Sequence, residues 1–277
     1  MKSYLYDGAK SVKLGKYLSQ LLPGLQFSSF RRMLSDGRIA VNGKRVKKEV
    51  FINPGDEIKI FSEDGIPSFK SERLYEDDDV MIAVKPRGTE TRLFAKLVSA
   101  ESGAEYIPVH RLDTNTRGIL IFAKNEKAFE DAVSLFRSSS IEKYYVALLG
   151  GVVEKEGVFN AFLKKDSEKG LVEISDAPQK GFVPVKTGIR PIGIRDGELT
   201  YAEIRLYTGK THQIRAHAAH LGHPVLGDTK YGDFDLNRLM RAKRQYLTAY
   251  KLVFGNIPKG NRLSRLGGKK FEITPDF

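Results

Sequence analysis

The sequence predicts an α+β protein: a mixed, mostly antiparallel sheet preceded by a small α/β domain. Short apolar runs bounded by turns, at residues 80–84, 118–123, 144–149 and 202–207, have the length and composition of buried strands. Helical periodicity recurs between the strands at only a few places, as in residues 126–136 and 212–221. Strands that outnumber helices without regular alternation favour a mostly antiparallel sheet.

Length and composition narrow the class of protein. With 277 residues, 41% of them hydrophobic, the chain can form one sizeable core and a small extra domain. No stretch approaches the roughly 18 uncharged residues of a membrane-spanning helix, and the first residues lack the apolar core of a signal peptide. We therefore expect a cytoplasmic protein without membrane contact, and a monomer by default. The absence of cysteine excludes disulfides, thiolate metal sites and cysteine nucleophiles.

The first 61 residues have the pattern of a separate domain. A helical pattern begins at Leu14 and is stopped by Pro23-Gly24, and a second short helix ends at Asp36-Gly37. Asn42-Gly43 between two apolar runs is a strong hairpin signal.

We therefore place an N-terminal domain at residues 1–61, and the Gly-, Pro- and Ser-containing stretch at 62–72 is interpreted as a linker. The main domain follows at 73–277.

Positive charge is concentrated in this first domain. The whole chain has a formal net charge of +12, and residues 1–61 contain 12 lysines and arginines against 5 acidic residues. An anionic polymer is the expected partner, because each neutralised phosphate releases counterions. The candidate RNA-binding cations of the second helix and the hairpin are Arg31, Arg32, Arg38, Lys44, Arg45, Lys47 and Lys48. A solvated charged face is the alternative.

A resemblance supports the RNA interpretation. The run Phe30-Arg31-Arg32-Met33-Leu34-Ser35-Asp36-Gly37-Arg38-Ile39-Ala40-Val41-Asn42-Gly43-Lys44, followed by Pro54-Gly55-Asp56, resembles the small RNA-binding domain named after ribosomal protein S-four. The match covers nearly all of residues 12–61.

The first candidate for chemistry is the polar segment 109–118 between two apolar strands. We predict a loop at a sheet edge, where a rigid scaffold commonly holds functional groups. Asp113 is the only carboxylate of this segment. An aspartate followed by Thr and Asn also suits a simple turn, in which its side chain bonds to its own backbone.

The second candidate is the segment 207–217. A strand ends at Tyr207, and Thr211 is a possible cap of a helix whose first turns carry His212 and Arg215. Basic groups at a helix N-terminus suit an anionic partner, and they equally suit a plain surface.

Three histidines at three-residue intervals, His217, His220 and His223, raise the question of a metal site. Metal sites need a third ligand with a defined direction, and His223 lies beyond the helix-ending Gly222. We therefore predict no metal and assign these side chains to local packing and hydrogen bonds.

Together these segments resemble the RluA-type pseudouridine synthases across residues 74–277. Several blocks occur in the family's order: Val84-Lys85-Pro86-Arg87-Gly88, His110-Arg111-Leu112-Asp113 with Thr116 and Gly118, Lys143-Tyr144-Tyr145-Val146-Ala147-Leu148, Thr208-Gly209-Lys210-Thr211-His212-Gln213-Ile214-Arg215 with His217, and Leu221-Gly222-His223-Pro224-Val225-Leu226-Gly227-Asp228 with Tyr231-Gly232.

The resemblance implies an isomerase that converts uridine in RNA to pseudouridine without a cofactor. Asp113 matches the family's catalytic aspartate, Tyr145 its active-site tyrosine and Arg215 the arginine that pairs with the aspartate. The target base has to be flipped out of its stack, and Arg111 is a candidate wedge for the vacated space. Ribosomal RNA is favoured over transfer RNA, because family members with this N-terminal domain resemble enzymes of large-subunit ribosomal RNA.

Three positions depart from the family pattern: Val84, Arg117 and Thr248. Arg117 stands near the proposed catalytic loop, so the departures put the substrate in doubt more than the chemistry. Two rival hypotheses stay open: a non-catalytic RNA-binding protein with the same fold, and a metal-dependent RNA hydrolase using His217 and His220.

Overall fold

The computed structural model describes residues 1–22, 25, 27–61 and 69–277. The predicted helix stop at Pro23-Gly24 lies outside the described residues, as do residues 62–68 of the predicted linker.

The chain divides into two compact units. The first comprises Met1–Ser71 with Lys96–Gly103, and the second comprises Glu72–Ala95 with Ala104–Phe277. The predicted domain boundaries stay a prediction, since residues 62–68 are not described.

Within Met1–Ser71, the described residues of the first unit form two helices and two small antiparallel sheets. Its elements are β1 (Lys2–Leu5), β2 (Val12–Lys13), α1 (Leu14–Leu21), α2 (Phe27–Ser35), β3 (Ile39–Val41), β4 (Lys44–Arg45), β5 (Phe51–Ile52) and β6 (Glu57–Ile60). One sheet has the order β1-β6-β3-β4, and β2 pairs with β5.

The hairpin between β3 and β4 forms at the predicted dipeptide. Asn42 and Gly43 have φ values of 49° and 77°, the left-handed conformation that a two-residue hairpin turn requires. The side chain of Asn42 also donates to Asp56 at 2.8 Å and accepts from the Glu57 amide at 2.9 Å, which ties the turn to β6.

The second unit contains one large sheet with helices around it. Its strands are β7 (Glu72–Glu76), β8 (Val80–Lys85), β9 (Ile107–Pro108), β10 (Arg117–Ala123), β11 (Ile141–Gly150), β12 (Gly157–Asp166), β13 (Leu171–Ser175), β14 (Val183–Arg195), β15 (Leu199–Leu206), β16 (Leu247–Phe254) and β17 (Lys270–Glu272). The helices are α3 (Thr91–Ser102), which contributes residues to both units, α4 (Glu126–Arg137), α5 (Gln213–His220), α6 (Phe234–Leu239) and a 3₁₀ turn at Ser264–Leu266.

The sheet confirms the predicted fold class. Its strand order is β13-β12-β14-β15-β11-β16-β10-β8-β7, with β17 beside β16 and β9 beside β10. Every described pair is antiparallel except β10 with β16. Among the described residues, no helix is long and apolar enough to cross a membrane.

Helix α4 covers one face of the sheet centre. Asn125 caps it by accepting a hydrogen bond from the Ala128 amide at 2.9 Å. Ala132 and Leu135 pack with strand residues such as Ile119 and Ile121 into the main hydrophobic core.

The polar segment 109–118 leads into the centre of the sheet. It ends where β10 begins, between β8 and β16, so it lies at the ends of interior strands and not along an outer strand. Gly118 is required here: it has a φ of +148°, and a Cβ would lie 2.3 Å from the carbonyl oxygen of Ala249 on β16.

Gly118→Ala should lower the free energy of unfolding by about 3 kcal/mol, because the added methyl group would clash with the Ala249 backbone on the parallel neighbour β16. The matched control is Gly88→Ala, where φ is +82° but nothing lies within 4 Å of the added Cβ. Strain alone should cost this control about 1 kcal/mol. Urea denaturation compares the two; equal losses would contradict the assigned close approach.

Candidate active site

Hydrogen bonds from neighbouring elements hold the backbone of the loop around Asp113. Thr91, at the start of α3, accepts from the Leu112 amide at 3.1 Å and donates to the Leu112 carbonyl at 3.0 Å. On the other side of Asp113, the fully buried Lys85 ammonium donates to the Thr114 carbonyl at 3.2 Å. The aspartate is therefore flanked by two anchored residues.

The following residues of the loop are anchored as well. Arg87 donates to the Asn115 carbonyl at 2.7 Å, and its other terminal nitrogen contacts Asp276 at 2.9 Å. Gln245 donates to the Thr116 hydroxyl at 3.0 Å. A loop whose consecutive residues are each tied to the scaffold can hold a side chain in one direction.

Arg215 of α5 joins two carboxylates. Its Nη1 donates to Asp113 Oδ2 at 2.9 Å, and its Nε and Nη2 donate to the two oxygens of Asp228 at 2.5 and 2.9 Å. The Asp228 side chain is 0% exposed and that of Asp113 is 17% exposed. The bidentate pair orients the guanidinium, which then presents its remaining edge to Asp113.

Burial disfavours the charged forms of Arg215 and Asp228, but their hydrogen-bonded ion pair outweighs the effect of burial. Hydrogen bonds and charges of Asp228 and then Asp113 raise the pKa of Arg215 despite its burial. Burial opposes the charge on Asp228, yet Arg215 and the amides of Lys230 and Tyr231 hold the pKa of this carboxyl below its usual value. Arg215 and Asp228 therefore stay ionised at neutral pH.

The side chain of Asp113 does not act as a simple turn-former. The Asp113 carbonyl accepts from the Thr116 amide at 3.0 Å, which closes a turn through the backbone. The carboxylate itself bonds to Arg215, 102 positions further along the chain.

Helix α5 begins differently from the prediction. Its N-cap is His212, which has a φ of 53° and makes no side-chain capping bond, so the proposed Thr211 cap is wrong. His212 is instead turned towards Tyr231, whose hydroxyl lies 2.9 Å from Nδ1. The Tyr231 hydroxyl also accepts from the Val172 amide at 2.8 Å, which ties this region to β13.

A cavity of about 210 Å³ opens beside the carboxylate. Its lining residues are His110, Arg111, Leu112, Asp113, Thr116, Lys143, Tyr145, Leu206, Gly209, Lys210, Thr211, His212, Gln213, Ile214, Arg215 and Leu247. The three predicted catalytic residues, Asp113, Tyr145 and Arg215, thus line one cavity although they come from a loop, a strand and a helix.

Burial and the charge of Asp113 raise the pKa of Tyr145. Its hydroxyl therefore stays protonated at neutral pH. Lys143, two residues earlier on β11, also lines the cavity, and burial lowers the pKa of its ammonium.

Arg111 lies at the mouth of the same cavity with an exposed side chain. The preceding His110 packs edge-on against Phe136, and its Nε2 accepts from the Ile121 amide at 3.3 Å. Burial and the nearby Lys143 lower the pKa of His110 to about 3, so it is neutral. His110 orients the backbone just before Arg111.

The three histidines considered for a metal have separate partners. His217 lies 3.0 Å from the Thr187 hydroxyl, His220 contacts Asp176 at 2.8 Å, and His223 contacts the Gly150 carbonyl at 3.0 Å. Over the part of the chain that is described, no group of three or more metal-ligating side chains converges.

The departures from the family pattern have structural explanations. Val84 is buried in the main core. Arg117 donates to the Thr274 carbonyl at 3.2 Å, and the Thr248 hydroxyl contacts Asp276 at 3.1 Å. Arg117 and Thr248 therefore both contact the segment 274–277. Asp276 of this segment also pairs with Arg87, which anchors the Asp113 loop.

Sequence reasoning missed two members of the site: Asp228 and Lys85. Each occurs within a block that resembles the family, but nothing in the local pattern distinguishes a carboxylate that orients Arg215 from a surface carboxylate. For Lys85 one sequence signal was available: this lysine directly follows the apolar run at residues 80–84.

The candidate RNA-binding cations of the first unit are mostly exposed. Arg31 and Arg32 are exposed on α2, and the Arg31 guanidinium lies 5.0 Å from the Phe27 ring. Arg38 pairs with Asp36 at 3.1 Å. Arg45 stacks over Phe61 at 4.2 Å. Lys44 and Lys47 are exposed at and after the hairpin.

Fold and site together place an aspartate and an arginine at a cavity beside the central strands of a mostly antiparallel sheet, which is an arrangement suited to carboxylate chemistry. The family model described as RNA pseudouridylate synthase matches residues 71–220, and the S4 domain model matches residues 12–58. The chain belongs to the RNA pseudouridylate synthase family, whose members are isomerases acting on RNA.

Relatives support this assignment. The chain is 31% identical over 247 residues to the ribosomal large subunit pseudouridine synthase C of Vibrio cholerae serotype O1, covering 80% of this chain and 77% of the relative. It is 29% identical to a protein of Aquifex aeolicus described as an uncharacterized RNA pseudouridine synthase, and the match covers 90% of this chain and 87% of that protein. The solved structure of human RNA pseudouridylate synthase domain containing 1 matches with a TM-score of 0.60 and 25% identity, over 75% of this chain and 84% of that one.

Asp228→Asn should destabilise the protein more than Asp113→Asn. Removing the charge of Asp228 leaves the buried Arg215 guanidinium with one carboxylate instead of two, and breaking a buried pair costs about 3 kcal/mol. Asp113→Asn keeps the bidentate pair and should cost about 1 kcal/mol. Urea denaturation of both variants measures the difference, and a larger loss in Asp113→Asn would show that Asp228 is not the main anchor.

Proposed function

We propose that this protein isomerises specific uridines of large-subunit ribosomal RNA to pseudouridine, with Asp113 as the catalytic carboxylate. One observation carries the proposal: Asp113 is held by Arg215, which a second buried carboxylate orients, beside a cavity that Tyr145 also lines. The relative in Vibrio cholerae is named for the large ribosomal subunit, which supports the choice of RNA.

The reaction exchanges one bond to the ribose for another. The bond between C1′ and N1 of the uridine breaks, the uracil turns, and a bond between C1′ and C5 forms. C5 loses a proton and N1 gains one, so the reaction is an isomerisation without a net change in atoms or electrons. An ionised carboxylate is needed, whether it attacks C1′, assists cleavage of the glycosidic bond or adds to the uracil ring.

Arg215 prepares Asp113 for this role. A bare carboxylate in a water-poor cavity tends to take up a proton, and a charge-assisted hydrogen bond prevents this. Arg215 donates to Oδ2, and among the described residues no side chain or amide donates to Oδ1. The Oδ1 atom is therefore the reactive oxygen in this proposal.

Tyr145 is assigned to the base. A tyrosine ring can stack on a flipped uracil, and a protonated hydroxyl can donate a proton late in the reaction, when N1 gains one. The raised pKa of Tyr145 keeps that proton available at neutral pH.

The first unit is assigned to RNA binding. The S4 domain match and the exposed cations of α2 and the β3–β4 hairpin support phosphate contacts in this unit. Ribosomal RNA as the substrate implies a cytoplasmic protein. The monomeric state stays a prediction of the sequence.

Asp113→Asn should lower kcat for pseudouridine formation by at least about 10⁴-fold, because the amide can neither attack nor carry the negative charge. RNA affinity should stay nearly unchanged. Mass spectrometry of ribosomal RNA transcripts measures the product, and fluorescence anisotropy measures the affinity. Asp235→Asn is the matched control, since its carboxylate is 88% exposed on α6.

Two outcomes would contradict the proposal. If Asp113→Asn retains wild-type turnover, the assigned carboxylate is wrong. If the wild-type protein forms no pseudouridine in RNA from a strain that lacks it, the rival hypothesis of a non-catalytic RNA-binding protein is supported instead.

Arg111→Ala tests the base-flipping wedge at the cavity mouth. Turnover should fall about tenfold more on a folded RNA than on an unstructured oligonucleotide. Only a base that is flipped out of a stack leaves a space for the Arg111 side chain to fill. Single-turnover rates on both substrates measure this ratio. Arg238→Ala, an exposed arginine of α6, should lose nothing on either RNA. Equal losses of Arg111→Ala on both substrates would exclude the wedge.

A further inference from the structure

A second cleft of about 330 Å³ lies along the strands that build the active-site cavity. Its lining residues are Tyr144, Glu156, Gly157, Val158, Gly188, Ile189, Arg190, Glu203, Arg205 and Tyr207. We call it the Tyr207 cleft. It shares no lining residue with the active-site cavity.

Both cavities use the same two strands. Lys143 and Tyr145 of β11 line the active-site cavity, whereas the intervening Tyr144 lines the Tyr207 cleft. At the end of β15, Leu206 lines the first cavity, while Arg205 lines the second. Successive residues of a strand point to opposite faces, so the two cavities lie on opposite faces of β11 and β15.

Tyrosines and cations alternate along the Tyr207 cleft. The Arg205 guanidinium lies 4.6 Å from the Tyr207 ring and 5.8 Å from the Tyr144 ring. The Lys186 ammonium lies 4.7 Å from Tyr207, and that of Lys251 lies 4.3 Å from Tyr144. These five side chains, from four neighbouring strands and the residue after β15, form what we call the tyrosine–cation ladder.

The acidic residues hold the ladder in place. Glu142 accepts from the Tyr144 hydroxyl at 2.6 Å and also from Arg205. Glu203 accepts from Lys251 at 2.8 Å and from Arg190 at 2.7 Å. These two carboxylates pair with the cations and with the Tyr144 hydroxyl, so they fix the positions of the ladder side chains.

Tyr207 is the accessible member of the ladder. It is 37% exposed, and its ring packs over Gly188, which has no side chain. A Cβ at Gly188 would lie 3.3 Å from Tyr207 Cε2. The residues that follow, Gly209 and Lys210, already line the active-site cavity. A polymeric ligand that extends from this cavity over the turn after β15 would therefore contact Tyr207.

We propose that the Tyr207 cleft binds unpaired nucleotides of the substrate RNA that flank the target uridine. Tyrosine and arginine faces stack on bases, and lysine and arginine groups neutralise phosphates, which is the combination that single-stranded RNA requires. Tyr207 stacks on a flanking base, while Lys186 and Arg190 contact the phosphates beside it. The inference rests on the proposed function, because it assigns a second site for the same RNA.

Kinetics with three full-length variants test the inference. Tyr207→Ala should raise KM for a ribosomal RNA transcript about tenfold, a larger factor than any fall in kcat, because a stacking platform is lost. Tyr207→Phe keeps the ring and should restore most of the wild-type KM. Phe182→Ala is the matched control: it removes an aromatic ring that also carries a lysine, Lys164 at 5.8 Å, but lies outside the cleft. Equal KM values for all three variants would overturn the inference.

Crosslinking tests the cleft independently of turnover. Oligouridine of about 12 nucleotides that carries 4-thiouridine is irradiated with the full-length protein, and mass spectrometry locates the crosslinks by residue. We expect crosslinks at Tyr207 or Tyr144 that Tyr207→Ala diminishes. Crosslinks confined to the first unit or to the active-site cavity would overturn the inference, even if the enzyme forms pseudouridine. Crosslinks in the cleft without pseudouridine formation would instead leave the cleft standing and reject the proposed function.

Discussion

The Arg215 guanidinium between two carboxylates is the interaction on which the site depends. The completely buried Asp228 accepts hydrogen bonds from two nitrogens of Arg215, so the orientation of Arg215 is set before any substrate binds. Asp113 takes the remaining edge. One positive group shared by two negative ones leaves the cluster with a net charge of −1. A carboxylate that is withdrawn from bulk water needs such a positively charged partner to stay ionised.

The centre of the sheet supplies the rigidity that this arrangement needs. β10 emerges from the Asp113 loop and pairs in parallel with β16, and Gly118 allows the two backbones to approach. Lys85 on β8 and Gln245 before β16 hold the loop carbonyl and hydroxyl groups from either side. The segment 274–277 adds to this support through Arg87 and Asp276, and the departures from the family pattern contribute to it.

Strand alternation places two cavities on opposite faces of the same strands. Because neighbouring residues of β11 and β15 point to opposite faces, the strands that position Tyr145 also position Tyr144 and Arg205 in the Tyr207 cleft. The acidic residues behave differently on the two sides. In the active-site cavity the Asp113 carboxylate pairs with Arg215, whereas Glu142 and Glu203 beside the cleft hold cations and tyrosines in position.

The sequence by itself determined the fold class, the positions of most strands and helices, and three residues that the structure brings to one cavity. It could do so because strand and helix periodicity are local, and because Asp113, Tyr145 and Arg215 stand in blocks long enough to resemble a family. Only the tertiary structure decided that Asp228 orients Arg215, that Lys85 lies beneath the loop, that His212 and not Thr211 precedes α5, and that Thr248 and Arg117 hold residues 274–277. These contacts join residues far apart in the chain, and their energies depend on burial and direction, which no local pattern contains.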